Sequence, residues 1–310
     1  VKELNAEAAS STVPLSQIVA TDLAHAFISQ LATSINLRVL SIKGPVADRY
    51  LLRDARVSAD ADVWVEPAGF DRLCVALESR GWHKRVGRAM PSLLPPHAST
   101  YIHDDWPCDL DVHRTFSGFF ADPDEAFEAV WTTRATMIIA GHPVVVPSRA
   151  AAALIGALHS LRNSGTRRAE EEGRRVREVI ADEFSNAQRD EFYRVAREGG
   201  AVWVLRELIS DTGLGEVFLD LSPEQERAWM LHVAYAADGS SVGWWEQLRG
   251  ARWLSKPGLL VRALWVPRAE IPRNSYSAMP SRRDARRYQV RRWRRGLIAM
   301  WRFAAKRTPS

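Results

Sequence analysis

Between Leu40 and Val65 the chain reads LSIKGPVADRYLLRDARVSADADVWV, and this stretch limits the possible folds more than any other. An apolar run stops at Gly44-Pro45, a helix-like connector follows over Val46 to Leu52, and a second apolar run carrying Asp60 and Asp62 ends at Glu66-Pro67. Side chains two apart in a strand point to the same face, so a strand over Asp60 to Val65 aims both carboxylates into one space. Like charges held that close repel unless a cation lies between them. The stretch is a candidate divalent-metal site.

The rest of the chain supplies a setting for it. Ile18, Val19, Leu23, Ala26, Phe27 and Leu31 recur at helical spacing after Pro14, which predicts a helix over Leu15 to Ile35. Arg38 to Ile42 reads as a short strand. Phe70 to Arg80 reads as a helix stopped by Gly81, and Trp82 to Val86 as a strand. Gly87 to His97 is a proline-rich loop, and Thr100 to Thr115 reads as two strands around the turn Asp104-Asp105-Trp106-Pro107. In the second of these, Asp109, Asp111 and His113 share one face, with Leu110 and Val112 on the other. After Pro143 to Pro147 the periods become helical: Ala150 to Leu161, Arg174 to Phe184, Gln188 to Glu198, Ala201 to Ile209 and Pro223 to Tyr235. The expected architecture is an α/β (α+β) domain with a small mixed sheet over residues 14–147, followed by an all-helical domain over 148–273. A disordered stretch over 1–13 and a basic tail over 274–310 complete the division, and no internal repeat is present.

Composition narrows the class. With 310 residues, an ordinary charged fraction of 25% and no apolar run long enough to cross a bilayer, a cytoplasmic protein without stable membrane insertion is expected. Cys74 and Cys108 are too few and too far apart for a zinc motif or a disulfide framework and read as buried thiols. The net charge of +5 is uneven: residues 282–307 hold eleven Lys/Arg against Asp284 alone. A one-signed segment of this kind is either a solvated helix face or a surface for an acidic peptide, RNA or anionic lipid.

Three carboxylates from two strands, Asp60 and Asp62 with Asp111 (or Asp109), make a hard oxygen site suited to Mg²⁺, which proteins hold with a few carboxylates and substrate phosphates. In a two-metal arrangement one ion activates the attacking hydroxyl and the other steadies the triphosphate. The Lys43-Gly44 turn before a helix offers an ammonium and backbone amides to an anion. An Asp-x-Asp pair alone is weak evidence; the order of turn, acidic strand and Asp-x-His strand carries the reading.

That order resembles the polymerase-β-like nucleotidyltransferase superfamily, and within it an uncharacterised bacterial group with a leucine-lysine-glycine turn and an Arg-Pro-x-Ser-Asp-x-Asp strand. Ile42-Lys43-Gly44 stands at the turn, Arg56-Val57-Ser58-Ala59-Asp60-Ala61-Asp62 at the metal strand, and Asp111-Val112-His113 at the third-acid strand. Leu154 to His159 is similar to the group's histidine-bearing helix, and Leu264 to Arg268 to its late apolar-proline segment. The resemblance implies transfer of an NMP from an NTP, ATP or GTP, to an acceptor hydroxyl with release of pyrophosphate. It implies two Mg²⁺ ions, with Mn²⁺ as a substitute, on Asp60, Asp62 and Asp111. Lys43, Gly44, Ser58, Arg56 and His113 would serve the nucleotide. The acceptor stays open among a small molecule, a peptide natural product, a tRNA and a protein. Two departures stand out: Gly44-Pro45 replaces the usual Gly-Gly or Gly-Ser, and Ser58 lies one place earlier than the group's serine.

Other readings compete. A glycosyltransferase also holds a metal with Asp-x-Asp, and a non-catalytic nucleotide- or RNA-binding protein needs no reaction at all. His113 is equally a packed histidine, His159 a core or interdomain residue, and His103-Asp104 part of a turn. Most tryptophans of the helical half, a set that includes Trp229, Trp253 and Trp265, read as core, and Trp244-Trp245 reads alternatively as part of an acceptor wall. Tyr288, Val290, Trp293, Leu297, Met300 and Trp301 form an apolar stripe through the arginine-rich tail.

Overall fold

The two apolar runs lie side by side. In the computed structural model, which describes residues 15–86, 97–218, 221–238, 248–271 and 279–305, β1 (Val39–Ile42) pairs antiparallel with β2 (Asp60–Val65). β2 pairs in parallel with β5 (Asp109–His113), β5 antiparallel with β4 (Ala98–Ile102), and β4 with the two-residue β3 (His83–Lys84). The sheet order is β1-β2-β5-β4-β3. Alternation gives it two unlike faces. Ala61, Val63, Val65, Leu110 and Val112 pack against α1 (Gln17–Ser34) and α3 (Phe70–Glu78) through Ala24, Ile28, Leu73 and Leu77, all fully buried. The opposite face carries Leu40, Ile42 and Trp64 beside the acids.

That second face opens into the larger core. Trp64 stacks edge-on against Phe127 of α4 (Pro123–Trp131), and the same cluster takes in α5 (Arg149–Arg162) and α7 (Asn186–Glu198) through Leu154, Leu158, Phe192 and Val195. Ser148 caps α5 by accepting from the Ala151 N–H at 3.1 Å, so the helical half starts where the sequence pattern changes. The apolar cluster nonetheless runs across that point without a break. Beyond α5 come α6 (Arg167–Glu178) with a π-helical continuation over Val179–Glu183, α8 (Arg206–Thr212), α9 (Pro223–Asp238), α10 (Lys256–Leu264) and α11 (Arg282–Ala305).

Several elements differ from expectation. The connector is α2, Gly44–Arg49, starting two residues earlier and ending sooner than Val46 to Leu52, because Pro45 suits the first turn of a helix. α4 and the hairpin of β6 (Ala135–Ile139) and β7 (His142–Val146) had no counterpart in the sequence reading. The hairpin turns on Ala140 (φ +48°) and Gly141 (φ +75°), a mirror-image two-residue turn for which Ala-Gly is an uncharacteristic signal. Cys108 is buried as expected, whereas Cys74 is only half-buried. Trp229 lies in the core, but Trp253 and Trp265 are 76% and 56% exposed, contrary to the core reading. The Trp244-Trp245 reading, most of the proline-rich loop and the N-terminal stretch fall outside the described residues.

One buried polar contact fixes α1 to the sheet. His25 of α1, fully buried, bonds through Nδ1 to the Ser41 hydroxyl of β1 at 3.0 Å. Burial lowers its pKa from 6.5 to about 4 against a weaker upward pull from Asp62. The unfolded chain therefore takes up a proton at a pH where the folded chain does not, so stability is full above pH 6.5 and falls as pH drops toward 4. Denaturant titrations across this range should show that loss, about 3 kcal/mol from His25 alone. His25→Gln, which cannot protonate, should flatten this part of the profile.

Candidate functional site

The parallel register sets Asp62 of β2 opposite Asp111 of β5, and Asp60 opposite Asp109. All four point to the face away from α1, because Ala61, Val63, Leu110 and Val112 are committed to the other. Asp62 is the buried member, at 5% exposure. One of its oxygens, Oδ1, accepts from both the Lys43 ammonium at 2.6 Å and His113 Nε2 at 2.8 Å. Burial by itself would raise the Asp62 pKa, but the charge of Lys43 and the hydrogen bond from His113 outweigh it and hold the carboxyl well below its usual range. Asp60 goes the other way: burial, then the neighbouring charges of Asp62 and Asp111, push it up to about 6. Asp111 accepts from the Thr100 hydroxyl at 2.6 Å. Asp109 is gripped at both oxygens by Arg85, each at 2.7 Å, which leaves Asp111 as the acid available beside Asp62.

The turn at the end of β1 faces this pair. Lys43 has φ +57° and ψ −147°, an unfavourable backbone for a non-glycine residue, and Gly44 follows at φ +42°. A Cβ on Gly44 would stand 3.4 Å from His25 Nε2 and 3.5 Å from Ser58 Oγ, so the turn lies directly over both. Arg53 ties the loop together, donating to Asp48, the Gly44 carbonyl at 3.2 Å and the Ser58 hydroxyl at 3.0 Å. Ser58 is thus at the turn, engaged by Arg53. Arg56 points elsewhere, forming an ion pair with Glu172 of α6. That contact joins the loop before β2 to the helical half and takes the guanidinium away from the acids of the site.

Residues from just before β4 and from the helical half border the acids, and of these the sequence reading singled out His159 alone. Arg162, at the end of α5, donates to His97 Nε2 at 3.0 Å, and the His97 ring lies 5.9 Å from His113 and 5.8 Å from His232 of α9. Burial lowers the pKa of Arg162 while Asp62 and Asp111 pull it back up. Burial first, then His113 and Arg162, drops His97 to about 2; burial and Arg162 drop His232 to about 4. His159, one turn earlier on α5, is lowered by burial and by the charge of Lys43. A neutral, histidine-rich wall with one guanidinium therefore faces the acids. His159 and Arg162 share one turn of α5, whereas His97 and His232 reach them only through long-range packing.

A divalent cation fits this donor set. Asp62, Asp111 and His113 each bring one ligand atom within 4.8 Å of the others, and Asp60, raised first by burial and then by the charges of Asp62 and Asp111, adds repulsion that a cation would relieve. Carboxylate oxygens suit Mg²⁺ or Mn²⁺. His113 has a second nitrogen, Nδ1, buried without a partner.

No family model matches the sequence, and no curated protein matches it. Solved structures with a likeness to it include an antigenic nucleotidyltransferase-like protein from Paracoccidioides brasiliensis, 14% identical over 64% of this chain and 94% of that one, TM-score 0.39. The antibiotic-resistance factor ANT(2'')-Ia is 16% identical over 62% of this chain and 95% of its own, TM-score 0.39. The lincosamide antibiotic adenylyltransferase LnuA, solved with lincomycin, is 16% identical over 53% and 99%, TM-score 0.36. Likeness of this size leaves function to be argued from the side chains.

Lys43 is the neutralising partner of a buried carboxylate, so its removal should be costly. Lys43→Met should lower unfolding free energy by about 3 kcal/mol in metal-free buffer, since it leaves Asp62 short of a counter-charge. The double variant Lys43→Met with Asp62→Asn should lose less than the sum of the two single changes, as a double-mutant cycle measured by denaturant unfolding will show.

Proposed function

We propose that this chain is a Mg²⁺-dependent nucleotidyltransferase that moves an NMP from an NTP, ATP or GTP, to an acceptor hydroxyl. The observation that carries the reading is the register of β2 on β5, which sets Asp62 beside Asp111 with Asp60 on the same face. A divalent cation bound there supplies Lewis-acid activation of the acceptor hydroxyl and charge neutralisation of the triphosphate. Asp60 and Asp62 would hold two such ions, and Asp111 would hold one of them or take the acceptor proton. Lys43 leaves Asp62 for the triphosphate, whose charge the Gly44 amide also meets at the start of α2. His113 keeps Asp62 oriented through its Nε2–H, and Ser58, held by Arg53, supports the turn.

The acceptor oxygen forms the new bond to the α-phosphorus, its proton passes to Asp111 or solvent, and the α–β bridging bond breaks to release pyrophosphate. The α/β part, residues 14–147, carries the acids. The helical part, 148–273, supplies the opposite wall through Arg162, His159 and His232, and Arg56 with Glu172 ties the two together. Residues 274–310 form the basic tail.

Asp62→Asn and Asp111→Asn should each cut pyrophosphate release from NTP by at least about a hundredfold, with the fold intact by circular dichroism. A cell extract serves as acceptor source in this assay. Turnover unchanged in both variants would overturn the reading. Hydrolysis of a UDP-sugar without pyrophosphate release would replace it with glycosyl transfer.

A further inference from the structure

The C-terminal helices carry a surface that the proposed reaction does not use. Residues 248–310 contain seventeen Lys/Arg against Glu270 and Asp284, a net +15, which leaves −10 for residues 1–247. α10 and α11 are fastened to each other: Trp293 Nε1 donates to the Leu264 carbonyl at 2.7 Å, and the buried Gln289 donates to the Val266 carbonyl at 2.6 Å. α11 turns Ala285, Tyr288, Gln289 and Gly296 inward, and Val290 and Leu297, seven residues apart on one stripe, outward. Arg283, Arg286, Arg287 and Arg294 are exposed around that stripe. On α10, Leu260, Val261, Leu264 and the following Trp265 are exposed as well, at 45% to 64%.

We infer that this pair of helices docks on an anionic lipid surface. Exposed apolar side chains gathered in one segment mark an interaction site rather than ordinary surface. The guanidinium groups specify a negatively charged partner. Two copies of this face would set like charge against like, which disfavours self-association through it. The apolar part is chiefly aliphatic, although Trp253, Trp265 and Trp293 are exposed with it. Single-stranded nucleic acid is held by stacking on aromatic rings and finds little use for branched aliphatics, whereas acyl chains do. Arginines flanking an aliphatic stripe lay their stems on it and keep their charge at headgroup level, with tryptophan at the boundary. No helix among the described residues is long and apolar enough to cross a membrane, so the contact is peripheral.

Flotation of the full chain with vesicles tests this. Vesicles of phosphatidylcholine containing about one third phosphatidylglycerol should carry the protein upward at physiological salt, and pure phosphatidylcholine vesicles should not. Arg286→Gln with Arg287→Gln and Arg294→Gln should weaken binding at least about tenfold, and so should the charge-neutral set Leu260→Ser, Leu264→Ser and Leu297→Ser. These positions are exposed, so the variants should keep the wild-type unfolding midpoint. Absence of flotation, equal flotation with neutral vesicles, or full binding by the serine variants would overturn the inference. Salt-sensitive RNA retention by the wild type and the serine variants alike, without flotation, would assign the face to nucleic acid instead.

Discussion

The parallel hydrogen-bonded pairing of β2 with β5 is the constraint on which the rest of the structure depends. It joins strands almost fifty residues apart in the chain and fixes a register in which Asp62 meets Asp111. A slip of β2 by one residue would turn Asp60 and Asp62 toward α1 and α3 and lift Ala61 and Val63 out of the core, and a slip of β5 would do the same with Asp111, Leu110 and Val112. Burial on the helix side thus enforces the acidic arrangement on the other. The apolar requirement and the chemical one are met by the same alternation.

The acids then dictate their neighbours. A carboxylate as buried as Asp62 needs compensation, and it receives both Lys43 and His113 on one oxygen. That draws the β1–α2 turn over the strand, at the cost of a left-handed Lys43 and of a glycine at the next position. The Arg53 clamp on Asp48, Gly44 and Ser58 offsets this strain by holding the loop from three sides. On the far side, Arg162 adds the positive charge that the histidines, held neutral by burial, do not provide. Acids below, a lysine turn at one end and a guanidinium beyond the histidines are the groups on which the proposed binding of a metal and a polyphosphate rests.

The sequence exposed the sheet side of this arrangement because period-two alternation leaves a visible trace. Asp60, Asp62, Asp111 and His113 fall on strands whose other face is uniformly apolar. Lys43-Gly44 was legible for a similar reason, as a break between an apolar run and a proline-led helix. His25 was not, since it sits inside an apolar helix stripe where a single histidine looks like filler, and its role comes from lying under Gly44. His97, His232 and Arg162 come from three segments brought together by long-range packing. Arg56 was the arginine singled out in this loop, yet the structure sets Arg53 at the turn and Arg56 on Glu172. Tryptophan type suggested burial for Trp253 and Trp265, yet the basic segment leaves both exposed.

The central claim is that Asp62 and Asp111 share a divalent cation in the presence of a nucleoside triphosphate. Crystals of the full chain grown with a non-hydrolysable NTP and Mn²⁺ test it most directly, through the anomalous signal of the metal. A peak bonded to oxygens of both Asp62 and Asp111, with the triphosphate reaching it and Lys43 moved onto phosphate, is the predicted result. A nucleotide bound elsewhere, or well-ordered crystals in which no anomalous peak lies between these two carboxylates, would contradict it.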